Sequence, residues 1–260
     1  MSESGSVSFD RAVEYYDQTR GMTPEAEAAV ADLLASELRD AGRCLEIGVG
    51  TGRIALPLRR KGVEVAGVDL SAAMLRRLRE KVVASGVRVP AAVADATRLP
   101  FADATFGGAL IAHVLHLIPG WRAALRELAR VVRPGGAVLV TLGTEAGMRD
   151  ELEALFVTEA GIERRFVGLD HDPVQLDEAM RDLGADVRVL PAIRQVKSTS
   201  LEEFISRLEN GLYSFTWPIE PDVRRRAAGA VRARARERFG SIEEPKPFES
   251  ALVWRSYRLP

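Results

Sequence analysis

The chain has 260 residues, of which 47% are hydrophobic and 28% charged, with 22 Gly and 13 Pro; this composition rules out collagen-like, low-complexity and wholly disordered readings. Its 36 Lys and Arg nearly cancel 37 Asp and Glu, which disfavours a dedicated nucleic-acid binder. One cysteine, Cys44, cannot make an intrachain disulfide, the opening MSESGSVSFDRAVEYYDQTR has no basic-then-apolar leader, and the apolar stretch 107–118 is too short to span a membrane; a soluble, cytoplasmic protein with no membrane span is expected.

Thr23-Pro24-Glu25 opens the first clear helix with a cap and a proline, and Ala26, Val30, Leu33, Leu34 and Leu38 form its apolar stripe. Short apolar runs bounded by Gly, Pro or Asp follow at 43–48, 63–69, 88–94, 106–112 and 136–142, the pattern of buried parallel strands. Between them, Ser71 caps a helix whose Met74, Leu75, Leu78, Val82 and Val83 recur at helical spacing, and Trp121, Ala124, Leu125, Leu128 and Val132 line another, ended by Arg133-Pro134-Gly135-Gly136. Strands alternating with helices predict an α/β fold: a doubly wound, Rossmann-like sheet of seven strands, mostly parallel, with an antiparallel last strand.

Further on, Asp172-Pro173-Val174-Gln175 starts a helix ending near Gly184, a strand is read over 186–196, and Ser200 to Glu203 form a capping box. An arginine-rich helix over 222–239 pairs an apolar stripe (Val223, Ala227, Val231, Ala235, Phe239) with seven arginines read as a solvated face. The alternating run 248–259 is expected to close the sheet. The predicted organisation is an N-terminal helical lid over 1–40, a core over 41–197 and 245–260, and a helical cap over 198–244.

Chemistry concentrates at the ends of the predicted strands. Leu45-Glu46-Ile47-Gly48-Val49-Gly50-Thr51-Gly52-Arg53 runs from a strand through a glycine-rich turn toward a helix, the place where open α/β sheets bind ligands. A dinucleotide fingerprint would need glycine where Arg53 stands, and no G-K-[ST] follows for a phosphate loop. Glu46, two residues before the first glycine, repels phosphate and attracts an ammonium group. Asp69 at the end of the second run can accept both hydroxyls of an unphosphorylated ribose, and Asp95 is a third strand-end acid. This set suits an adenosine carrying an amino acid.

These segments resemble the class I S-adenosylmethionine-dependent methyltransferases, in particular the small-molecule group related to ubiquinone and menaquinone C-methylases. The resemblance covers about residues 9–142, through LEIGVGTGR, GVDLS, VADATRLPFADATF and RELARVVRPGG. It implies S-adenosyl-L-methionine as cofactor, with Glu46, Gly48, Val49, Gly50 and Gly52 around the methionine part. Asp69 would hold the ribose, Leu70 would pack on the adenine, and Asp95 and Ala96 would take the adenine edge. Tyr15, Tyr16, Asp17 and Arg20 resemble the family's N-terminal helix over the cofactor. The match departs at Gly107, where the family usually has Asp.

His113 and His116 lie just past the fourth run, where a methyl group would emerge; they are the candidate bases, and His113 also borders the cofactor. Leu212, Tyr213, Phe215 and Trp217 cluster between the cap helices, with Tyr213 and Trp217 as candidate substrate contacts. Three histidines without a matching Cys or carboxylate pattern point to no metal site. The expected activity is methyl transfer to a small-molecule acceptor, the alternatives being an inactive cofactor-binding protein or a methyltransferase acting on a macromolecule.

Overall fold

A computed structural model of the protein describes residues 5–145, 147–163 and 166–260; residues 1–4 of the expected lid lie outside the described residues. The chain forms two compact units, one of residues up to Gly143 with Val167–Ile193 and Leu252–Pro260, the other of Thr144–Phe166 and Arg194–Ala251.

In chain order the first unit contains α1 (Tyr16–Arg20), α2 (Pro24–Glu37), β1 (Arg43–Ile47), α3 (Ala55–Arg60), β2 (Glu64–Asp69), α4 (Ala72–Ser85) and β3 (Ala91–Val93). It continues through β4 (Phe106–Ala112), α5 (Trp121–Val131) and β5 (Val132–Thr141). The second unit then holds β6 (Thr144–Glu145) and α6 (Gly147–Glu159), after which α7 (Pro173–Asp182) and β7 (Asp186–Val189) return to the first. Next come β8 (Ile193–Thr199), α8 (Leu201–Glu209), α9 (Pro221–Phe239), β9 (Lys246–Leu252) and finally β10 (Arg255–Arg258).

Seven strands of the first unit form one sheet in the order β3-β2-β1-β4-β5-β10-β7. The ladders from β3 through β5 are parallel, and β10 runs antiparallel to both β5 and β7. Strand order reverses between β1 and β4, which opens a crevice at their carboxyl ends. The period of two separates the faces: Leu45, Ile47, Ala109, Ile111, Val138 and Val140 enter one core, while Cys44, Leu110, Leu139 and the α2 residues Val30 and Leu34 enter the other. Burial pushes the Cys44 thiol up to about 12, so it stays protonated and inert.

The Asp that the resemblance leads one to expect at position 107 is excluded by space. A Cβ there would stand 1.7 Å from the carbonyl oxygen of Ala41. Gly107→Asp is therefore expected to destabilise the chain by at least about 3 kcal/mol, the upper range for overpacking; an unchanged urea midpoint would show that the Ala41 turn yields instead.

Several expectations are corrected by backbone chemistry. The single strand read over 186–196 is two strands in different sheets, split at Leu190-Pro191-Ala192, where proline has no N–H for a ladder. The closing run 248–259 likewise breaks at Val253-Trp254, with β9 in a small sheet ordered β6-β9-β8 and β10 in the large one. The 88–94 run shortens to Ala91–Val93, and Arg133-Pro134-Gly135-Gly136 lies inside β5, where the β4 ladder shifts register, rather than ending α5. Val83 is 83% exposed and leaves the buried face of α4 to Met74, Leu75 and Leu78.

The second unit extends beyond 198–244, because Leu152 and Phe156 of α6 share a core with Leu201, Phe204, Ile205 and Leu208 of α8 and Val231 of α9. The Ser200 hydroxyl accepts from Glu203 N at 3.0 Å, as the capping box predicts, but Glu203 turns its carboxylate to the Thr199 hydroxyl. Among the seven arginines of α9, Arg224 and Arg232 are half-buried. Arg224 donates to the carbonyls of Glu209, Thr216 and Ile219, and Arg232 pairs with Glu202 and Glu209.

Candidate active site

At the crevice, β1 ends in the turn 48–54, and all three of its glycines have positive φ (67, 52 and 83°). Their surroundings differ. A Cβ at Gly48 would lie 2.3 Å from Val114 and one at Gly52 2.5 Å from Leu78, so packing alone requires both glycines. A Cβ at Gly50 meets nothing closer than 3.9 Å; Gly50 is the glycine whose missing side chain leaves open space for a ligand.

Asp69 ties this turn to the next element. Its Oδ2 accepts from Gly50 N and its Oδ1 from Ser71 N, both at 2.8 Å. Ser71 caps α4, accepting from Met74 N at 3.0 Å. Burial raises the Asp69 carboxyl above its ordinary value, against the lowering effect of the Ser71 and Gly50 N–H groups. The remaining lone pairs of this half-buried carboxylate can serve a hydroxyl-bearing ligand.

Glu46 sits on β1 between Gly67 of β2 and Leu110 of β4, 2% exposed. Burial pushes its carboxyl up to about 8; the Arg53 charge opposes that shift, Asp69 adds to it, and a bond from the Ala55 backbone opposes it. Oε2 of Glu46 is buried with no hydrogen-bond partner among the described residues. A buried carboxylate oxygen left unpaired is costly, and an ammonium group is a ligand that would relieve that cost.

The N-terminal segment is bolted to the same turn. Thr51, fully buried, donates to Asp17 Oδ1 at 2.6 Å, and Arg53 donates to the Arg20 carbonyl at 2.7 Å. Asp17 also pairs with Lys81 at 2.7 Å, while Tyr16 packs edge-on against Phe9, centroids 6.1 Å apart. The Tyr15 hydroxyl is buried without a partner among the described residues. Sequence reasoning missed Asp10, which accepts from the Ser71 hydroxyl at 2.6 Å; nothing in local spacing links residues 61 apart.

Leu70 is half-buried directly after Asp69, and Asp95 follows β3 with its Oδ1 accepting from both Thr97 N and Thr97 Oγ1 at 2.8 Å. Ala96 is buried beside it, and Val49 packs under Gly67. His113 leaves β4 with φ 55° and donates its backbone N–H to Thr141 O at 3.0 Å. His116 lies one turn on. Tyr213 and Trp217 belong to the second unit, where Tyr213 lies 5.8 Å from Phe204 and Trp217 Nε1 donates to Gly211 O at 3.0 Å. No helix among the described residues is long and apolar enough to cross a membrane.

Residues 45–140 match the family described as a methyltransferase domain. Over 101 residues the chain is 41% identical to a phosphatidylethanolamine N-methyltransferase of Cereibacter sphaeroides, covering 38% of this chain and 49% of that protein. It is 40% identical over 100 residues to a demethylmenaquinone methyltransferase of Thermus thermophilus, covering 38% and 46%. The chain thus spans about half the length of these curated relatives. In fold it is similar to the YcgJ protein of Bacillus subtilis, with a TM-score of 0.62, 19% identity and coverage of 90% of this chain and 98% of that one.

Proposed function

We propose that this chain, which through residues 45–140 belongs to the S-adenosylmethionine-dependent methyltransferases, transfers a methyl group to a small-molecule acceptor. One observation carries the reading: the turn that leaves open space at Gly50 is held by Asp69 through the Gly50 N–H, and the strand before it carries Glu46, whose buried Oε2 has no partner among the described residues. That set fits an adenosine joined to an amino acid, since a ribose needs acceptors for two hydroxyls and an ammonium group needs a carboxylate. Acids at successive strand ends oppose a polyphosphate.

When bound, the cofactor supplies an electrophilic methyl group on a sulfonium centre. The chain then contributes position more than bond-making chemistry. Asp69 and the Gly50 N–H fix the loop, Glu46 faces the amino-acid end, and Asp95 and Ala96 border the base. The lid residues Tyr16 and Arg20 would exclude water, and His113 and His116 stand past β4, where the acceptor would meet the methyl group.

Calorimetry with S-adenosylhomocysteine and NAD tests the cofactor assignment, and tighter binding of NAD would end it. A metabolite screen for gains of one methyl group identifies the acceptor. Gly50→Val is expected to weaken S-adenosylhomocysteine at least tenfold, about 1.4 kcal/mol. It leaves the chain folded despite a backbone cost of about 1–2 kcal/mol at positive φ. Wild-type affinity in that variant would take the turn out of the site.

A further inference from the structure

The chain has three histidines, and folding gathers all of them. The backbone carbonyl of Leu142, just past β5, lies 2.6 Å from His171 Nδ1, and the His113 ring hydrogen bonds to the same residue's backbone. The rings of His116 and His171 are 4.7 Å apart between centroids and tilted by 33°.

Main-chain bonds hold this arrangement. Gly168 N donates to His116 O and Leu169 N to Leu115 O, both at 3.1 Å. A Cβ at position 168 would stand 2.1 Å from the Leu115 carbonyl oxygen, so only glycine lets the segment come this close. His113 and His171 both hold positive φ, 55 and 45°, a conformation that costs energy and persists where surrounding structure enforces it. Among the described residues no three His, Cys, Asp or Glu side chains are grouped as metal ligands.

A carbonyl only accepts, so the ring nitrogen facing Leu142 must carry the proton. Neutral His171 is therefore the Nδ1–H tautomer, with its lone pair on Nε2. His113 is held well below its ordinary value by burial first, then by Arg53 and His116, with a further push from His171 and opposition from the Leu142 bond. Of the two histidines past β4, His116 is the one whose ring meets His171, so it is the one that this contact can orient.

We propose that His171 is a positioning residue for His116, which receives the proton of an O–H or N–H acceptor in the methyl transfer. The inference rests on the function proposed above. The acceptor's lone pair forms the new bond to the methyl carbon, the electron pair of the broken carbon–sulfur bond stays on sulfur, and the acceptor's proton passes to His116 and then to water. His171 holds the His116 ring by contact while its own orientation is locked on Leu142.

With three histidines in the chain, long-range nitrogen–proton NMR of the whole protein resolves each ring. The expected wild-type result is His171 as the Nδ1–H tautomer. His171→Asn, which can still donate to Leu142 but has no ring, should move the titration midpoint of His116 and the acid limb of the kcat profile together. It should lower kcat about ten- to a hundredfold, the scale of misplacing a catalytic group, with S-adenosylhomocysteine affinity held within about twofold. His171→Phe, which keeps the ring and loses the bond, should cost less. An Nε2–H tautomer at His171, or a His116 titration untouched by either variant, would overturn the proposal, and the wild-type spectrum decides even if both variants misfold. A chain that binds no S-adenosylhomocysteine yet shows the expected tautomer would fail the function and leave the histidine arrangement standing.

Discussion

Glu46→Gln is expected to make the protein more stable and a poorer ligand binder at the same time. The folded pKa of Glu46, about 8, lies above its ordinary 4.5, so the folded state favours the protonated form. Its contribution to stability is fully present below about 4.5 and is lost as pH rises through about 8. Glutamine keeps the shape without the ionisation. The variant should therefore gain little over wild type near pH 5 and a few kcal/mol at most by pH 8–9, since each tenfold change in a protonation equilibrium is worth about 1.4 kcal/mol. Urea midpoints across that range measure the difference.

Ligand binding should show the opposite sign. An ammonium group binds the carboxylate form, so wild-type affinity for S-adenosylhomocysteine should rise between about pH 6 and 8 as Glu46 ionises. Glu46→Gln should lack that rise and bind about ten- to a hundredfold more weakly at pH 8, the scale of a lost hydrogen bond to a charged group. Such a pairing of gain and loss is the signature of a buried group kept for a ligand. Parallel pH profiles for the two proteins would show that Glu46 faces no cation.

Asp69→Ala is expected to lose roughly 1.5 to 3 kcal/mol of cofactor binding, about ten- to a hundredfold in dissociation constant. The fold adds a second effect, since Asp69 serves the Gly50 and Ser71 N–H groups at once. Losing both bonds should also cost about 2 kcal/mol of stability, because hydrogen bonds to a charged group are worth about 1.5–3 kcal/mol each and water replaces part of that. Asp69→Asn retains one acceptor oxygen and should fall between. Calorimetry and urea unfolding on the same variants separate the two losses. Binding lost with no change in stability would mean that the loop keeps its shape without Asp69, and unchanged binding would place the ribose elsewhere.

The Gly-rich turn, its preceding strand and Asp69 are legible in the sequence because each is a local pattern. A period of two marks a strand, glycines mark positive φ, and an acid at a strand end sits where the fold opens. The capped starts of α2, α4, α7 and α8 are legible for the same reason: Thr23, Ser71, Asp172 and Ser200 each accept from an N–H two or three residues on. Other features depend on partners distant in sequence. Whether 186–196 makes one strand or two depends on which sheet offers an edge on either side of Pro191. The second unit's extent depends on α6 burying Leu152 and Phe156 in a core shared with α8 and α9. Asp10 reaches Ser71, and His171 reaches Leu142 and His116, only once the chain has folded. Periodicity and capping act over a few residues and are written in the sequence, whereas the charge state of Glu46, the open space at Gly50, the lack of space at Gly107 and the meeting of the His116 and His171 rings come from burial and close approach, which tertiary packing alone decides.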